Sequence, residues 1–151
     1  MSNTSNVERF EATAKGTGWP TSVSITGSQW GFKIDEPEED GGSNSGPNPM
    51  HHFVASLAGC QNEQAQVVAE ELGIRTNEIN IILEVSIDLS GFMGVSDNSD
   101  GAFQHVKLHA VVAGVSEEQS QALGEKVDAR CPILGLLRSA GVAVESNWTV
   151  A

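Results

Sequence analysis

One long helix with a start and a stop written into the sequence constrains this chain more than any other feature. Asn48 offers a side-chain oxygen to the first free N–H groups, and Pro49 fits the first helical position, where its missing N–H breaks no hydrogen bond. Gly73 is placed to adopt the left-handed stop conformation. The spacing therefore predicts a helix from Pro49 to near Leu72. Along it Phe53, Leu57 and Cys60 follow at i, i+4 and i+7, which sets the thiol on the apolar face. Cys60 is expected to face inward and to be nearly dry, beside a glycine, Gly59, small enough to let another element approach.

Strand signals flank this helix. Val23 and Ile25 alternate on one parity and Trp30, Phe32 and Ile34 on the other, with Gly27-Ser28 between them, which reads as a β-hairpin. Downstream, Ile79, Ile81, Leu83, Val85, Ile87 and Leu89 alternate with polar residues, and Val106, Leu108, Ala110 and Val112 form the return strand. Ser116 and Gln119 make a capping box for a second helix carrying Leu123 and Val127. Pro132 disfavours helical geometry in the residue before it, so that helix ends at Cys131. A third, short helix starts at Pro132, runs through Ile133, Leu134, Leu136 and Leu137 to Gly141, and leaves Cys131 at its N-cap. Val142, Val144, Trp148 and Val150 close the sheet. Residues 1–19 read as a mobile start or a short edge strand, Glu36 to Ser45 as a solvated acidic loop, and Gly91 to Gly101 as a glycine-rich connection. The order of elements gives an α+β class with a largely antiparallel sheet, and the length suits one domain, 1–151.

Charge excludes whole classes of partner. Eight Lys and Arg against 20 Asp and Glu give a formal charge of −12, which repels a phosphate backbone or an anionic bilayer. Neither nucleic acid nor a membrane is an expected partner. The first ten residues lack the cationic and apolar regions of an export signal. Two cysteines are too few for a disulfide scaffold, so a reducing cytoplasm is the expected compartment, with thiols that are either reactive or buried.

Each candidate residue carries two readings. A thiolate is a far better nucleophile than a thiol, so a reactive Cys60 needs an activating neighbour. Cys131, at a helix N-cap beside Arg130, is placed for thiolate character, or else is a buried cysteine where a helix breaks. His51 and His52 lie nine and eight residues before Cys60. At ~1.5 Å per residue that offset spans ~12–14 Å, so they reach the thiol only through a bend or from a second subunit. His51 is then either a base or, with His52, part of a polar rim at a dimer contact. His105 and His109 fall on the polar face of a strand and are expected to be solvated. No zinc-type spacing, P-loop, dinucleotide fingerprint or serine elbow is present in the sequence, and neither a metal nor a cofactor is expected.

The stretch Gly46-Pro47-Asn48-Pro49 leading to Ala58-Gly59-Cys60, together with Arg130-Cys131-Pro132-Ile133, resembles the OsmC/Ohr family of osmotically inducible and organic-hydroperoxide-resistance proteins. The likeness runs from about residue 20 to the end. It implies an OsmC-like fold with a long central cysteine-bearing helix in an intertwined homodimer. It further implies a thiol peroxidase reducing organic hydroperoxides, with Cys60 attacking, Cys131 closing a disulfide and a thiol reductant reopening it. The family's usual glutamate nine or ten residues before the first cysteine is replaced here by His51 and Met50, and the places of its arginine hold Trp19-Pro20 and Ile34-Asp35. This departure from the pattern keeps two alternatives open: a non-catalytic member binding a small apolar ligand, and a redox sensor.

Overall fold

A computed structural model describes residues 6–97 and 102–151. Residues 1–5 of the expected mobile start and 98–101 of the glycine-rich connection lie outside the described residues. The chain forms two compact units, residues 1–53 and 54–151.

The first unit is a three-stranded antiparallel sheet of β1 (Ala12–Lys15), β2 (Thr21–Ile25) and β3 (Gly31–Ile34), in that order. The expected hairpin is β2–β3, with Val23 opposite Phe32 and Gly27 at φ 76° in the turn. The short edge strand anticipated within residues 1–19 is β1, which pairs Ala12 with Ile25. Trp30 stays 71% exposed in this sheet and Phe32 40%.

The acidic loop after β3 is more than a solvated link. Asp35 is fully buried and gathers the loop around its carboxylate. It accepts from the Glu36 N–H at 2.9 Å, the Ser43 hydroxyl at 2.6 Å, and the Ser45 N–H and hydroxyl at 2.8 and 2.7 Å. A buried carboxylate must be hydrogen-bonded, and these donors lie within ten residues of it, so the segment folds back on itself. Gly42 permits the closure, because a Cβ there would run into the Glu36 carbonyl.

α1 (Pro49–Leu72) opens with Asn48 Oδ1 accepting from the His51 N–H at 2.9 Å and stops at Gly73, φ 65°. The second unit holds most of it, with β4 (Glu78–Ile87), β5 (Phe103–Ala113), α2 (Glu117–Arg130), α3 (Pro132–Ser139) and β6 (Ala143–Val150). The alternation on β4 and β5 is as the sequence predicts, with Ile79, Val106, Leu108, Ala110 and Val112 buried. β4 and β5 are antiparallel, whereas β5 and β6 are parallel, a pairing that needs a crossover, supplied by α2 and α3. The remaining pairs among the described residues are antiparallel.

Ala65 and Val68 of α1, Leu123 and Val127 of α2, and Trp148 of β6 complete the core over this sheet. The Trp148 ring lies against Gly124, where any side chain would collide with it. The capping box is intact: Ser116 Oγ accepts from the Gln119 N–H at 3.2 Å, and Gln119 Oε1 accepts from the Ser116 N–H at 2.9 Å.

Candidate redox site

The second unit brings the two cysteines into contact. Both are free thiols, and the Cys131 S–H donates to the Cys60 sulfur at 3.2 Å. α1 supplies the first; the break between α2 and α3, which Pro132 dictates, supplies the second.

Cys60 is half-buried rather than nearly dry, and it is Cys131 that is closed off, at 2% exposure. The reason lies in which row of α1 is covered. Leu57, Gln61, Ala65 and Val68 form the buried stripe at i, i+4, i+8 and i+11, so Cys60 lies on its flank. Gly59 is exposed, and a Cβ added there would meet open space, so no element among the described residues uses its smallness.

The start of α3 also differs from expectation. Cys131 is its N-cap, yet its side chain accepts no hydrogen bond from the helix. Arg130 does not serve Cys131 either, since its guanidinium forks onto the Glu71 carboxylate at 2.9 and 2.7 Å. Burial, then the Cys131 thiol, push the Cys60 thiol up to about 11; the Ile133 N–H opposes them, and the Glu63 carboxylate one turn along adds to the rise.

His51 and His52 belong to the first unit. His52 stacks on Phe32 with ring centroids 4.4 Å apart, and its Nε2 is 3.3 Å from the Lys33 carbonyl oxygen. His51 is exposed and lines a polar cavity of about 390 Å³ with Asp35, Asn44, Ser45 and Asn48, among others; neither cysteine lines it. α1 runs unbroken through His51 and Cys60, and positions nine apart on one helix do not place side chains in contact. His105 and His109 are hydrogen-bonded rather than merely solvated: His105 Nε2 lies 2.9 Å from Glu145, and the Asn147 amide 3.4 Å from His109 Nδ1.

Among the described residues no three His, Cys, Asp or Glu side chains are grouped to hold a metal, and no helix is long and apolar enough to cross a membrane. Sequence reasoning missed the buried carboxylate of Asp35. The signal was an aspartate followed by Ser43 and Ser45.

Fold and thiols together define a class: an α+β chain with two cysteines in contact between a long helix and a helix break. The OsmC-like protein family model matches residues 42–147, and the chain belongs to that family. It is similar to an organic hydroperoxide resistance protein from Elizabethkingia anophelis, crystallised with thiocyanate, at 27% identity and a TM-score of 0.74, covering 97% of this chain and 98% of that one. A second such protein, from Legionella pneumophila, is 25% identical with a TM-score of 0.72, covering 96% and 98%. The OsmC like protein from Mycoplasma pneumoniae shares the fold at a TM-score of 0.78 and 17% identity, covering 95% and 99%. No curated protein sequence matches the chain significantly.

Proposed function

We propose that the chain is a thiol-dependent peroxidase that reduces organic hydroperoxides through Cys60 and Cys131. The observation that carries this reading is the 3.2 Å separation of the two sulfurs. The Cys60 thiolate attacks the outer peroxide oxygen of ROOH, the O–O bond breaks, and the alkoxide leaves and takes a proton as ROH. Cys60 is then a sulfenic acid. Cys131 attacks its sulfur, the S–O bond breaks, and hydroxide leaves with the Cys131 proton as water. A small thiol reductant restores both thiols by exchange, and is itself oxidised to a disulfide.

Names of relatives support the substrate class. The hydroperoxide resistance proteins from Elizabethkingia anophelis and Legionella pneumophila are similar over nearly the full chain. The scheme includes a homodimer working in the cytoplasm, in which the exposed Trp30 and Phe32 of the first unit are covered by a second copy. His51 enters as a base only from that second copy, since the helix it shares with Cys60 keeps the two side chains apart.

One observation favours a second reading. A thiol pushed up to about 11 is slow at neutral pH, which suits a sensor whose disulfide forms without rapid turnover.

Titration of free thiols before and after one equivalent of cumene hydroperoxide tests the scheme, with both thiols expected to disappear together. Survival of both would end it. Stopped-flow oxidation of a Cys131→Ser variant then separates the readings: in that background His51→Ala slows a peroxidase with a histidine base by roughly 10²-fold, and leaves the rate unchanged if His51 is a rim residue.

A further inference from the structure

We propose that Arg138 is a positioning residue for Cys131: it clasps the break between α2 and α3, holds the second sulfur against the first, and so sets the rate at which the disulfide closes. This rests on the peroxidase reading, in which Cys131 attacks the oxidised Cys60. Cys131 is at once the C-cap of α2 and the N-cap of α3, so its sulfur goes where the angle between the two helices sends it.

Pro132 leaves that angle in need of a tie. In an unbroken helix the N–H of residue 132 donates to the carbonyl of Asp128, four residues back, and proline has no N–H to give. The Cys131 N–H still reaches the Val127 carbonyl at 3.0 Å, but the Asp128 carbonyl must find its donor elsewhere. Arg138, near the end of α3, supplies it: Nη1 donates to that carbonyl at 2.9 Å, and Nη2 lies 3.5 Å from the Asp128 carboxylate. Among the described residues, these are the side-chain hydrogen bond and ion pair that span the break.

Asp128 stands three residues before Cys131 and Arg138 seven after it, so the clasp closes a loop with the thiol at its bend. The Asp128 side chain is only 14% exposed, and its Oδ1 has no hydrogen-bond partner among the described residues, which leaves Arg138 as its counter-charge. Leu134 and Leu137 bury one face of α3, but apolar contact is non-directional, whereas a guanidinium bond fixes direction as well as distance. Placement matters here because the sulfurs, 3.2 Å apart, are one short movement from bonding, and about 1 Å of misplacement at a reacting atom costs on the order of 10²-fold in rate.

Closure can be timed without peroxide. Dipyridyl disulfide meets Cys60 first, because Cys131 is 2% exposed. The Cys60 thiolate attacks one sulfur of the reagent, the reagent's S–S bond breaks, and one thiopyridone leaves. Cys131 then loses its proton to buffer and attacks the Cys60 sulfur, the mixed disulfide breaks, and a second thiopyridone leaves. The first release quickens with reagent concentration and the second does not, so excess reagent separates them in full-length protein. Arg138→Met keeps the apolar stem and removes the donors; it is expected to leave the first release within about twofold of wild type and to slow the second about tenfold. Arg138→Lys, which keeps a charged donor, is expected to stay within about threefold in both.

If the methionine variant lacks the circular dichroism of wild type, Asp128→Asn, isosteric and still carrying the carbonyl, is read in its place, with the second release expected to slow about threefold. A folded variant of either kind whose second release stays within about twofold of wild type overturns the proposal, as does a lysine variant as slow as the methionine one. The peroxidase reading fails separately: its failure is loss of neither thiol when wild-type protein meets cumene hydroperoxide, a result that leaves the two-release comparison intact.

Discussion

At Cys60, burial and a second thiol hold the proton on while one backbone amide pulls toward the anion. With the group pushed up to about 11 from its ordinary 9.0, only ~10⁻⁴ of it is thiolate at pH 7. Alkylation of the wild-type thiol should accelerate roughly tenfold for each unit of pH from 7 to 10. Cys131→Ala removes the second-largest upward influence, so its inflection should fall below that of wild type in the same iodoacetamide assay. The sign for stability follows from the same shift. The folded chain keeps a proton that the unfolded chain releases near 9.0, so this group's contribution is fully present below that pH and is lost as pH rises toward about 11. The pairing of Cys60 with Cys131 was legible through the motifs around each. That Cys131 rather than Cys60 is the closed-off thiol was not, because burial depends on what packs over each residue.

Among the elements, α1 was legible in its bounds and misread in its face. Asn48, Pro49 and Gly73 act within one turn of themselves, so their meaning survives any tertiary context. Which row of a helix is buried depends on where the sheet lies, and here the row passes through Gln61 rather than Cys60. Gln61 is fully buried, and both atoms of its amide lack a hydrogen-bond partner among the described residues. Replacing it by leucine should stabilise the fold by about 1–3 kcal/mol, seen as a higher urea midpoint at unchanged slope. The loop after β3 was hidden for a related reason: its polar residues look solvated until Asp35 is seen to be their hub. The Ser43 hydroxyl, ahead of the N–H and hydroxyl of Ser45, holds the Asp35 carboxyl well below the usual carboxylate range against the opposing effect of burial. Such a lowered group stabilises the fold above its ordinary 3.8, and the benefit drains away as pH falls below that value. Asp35→Asn should therefore lower the melting temperature at pH 7, and the gap to wild type should narrow as the buffer is taken below 3.8.

For the whole molecule, the α+β class followed from segregated helices and adjacent strands, while the parallel β5–β6 pair did not, since alternation along β6 is the same whichever way its neighbour runs. The contact between the thiols has a further consequence for the chain as a polymer. Cys60 and Cys131 stand 71 residues apart, so a bond between them would close a ring containing β4, β5 and α2, with β6 and the first unit left as free tails. In a loop-closure description, a ring of that size removes about 4 kcal/mol of disorder from the denatured chain. Oxidised protein should then melt higher than reduced protein by on the order of 10 °C, measured by calorimetry with and without dithiothreitol. A history of oxidant exposure would be retained as heat resistance in the ringed segment, while strand β6, outside the ring, would remain the part that a pull on the C-terminus peels away first.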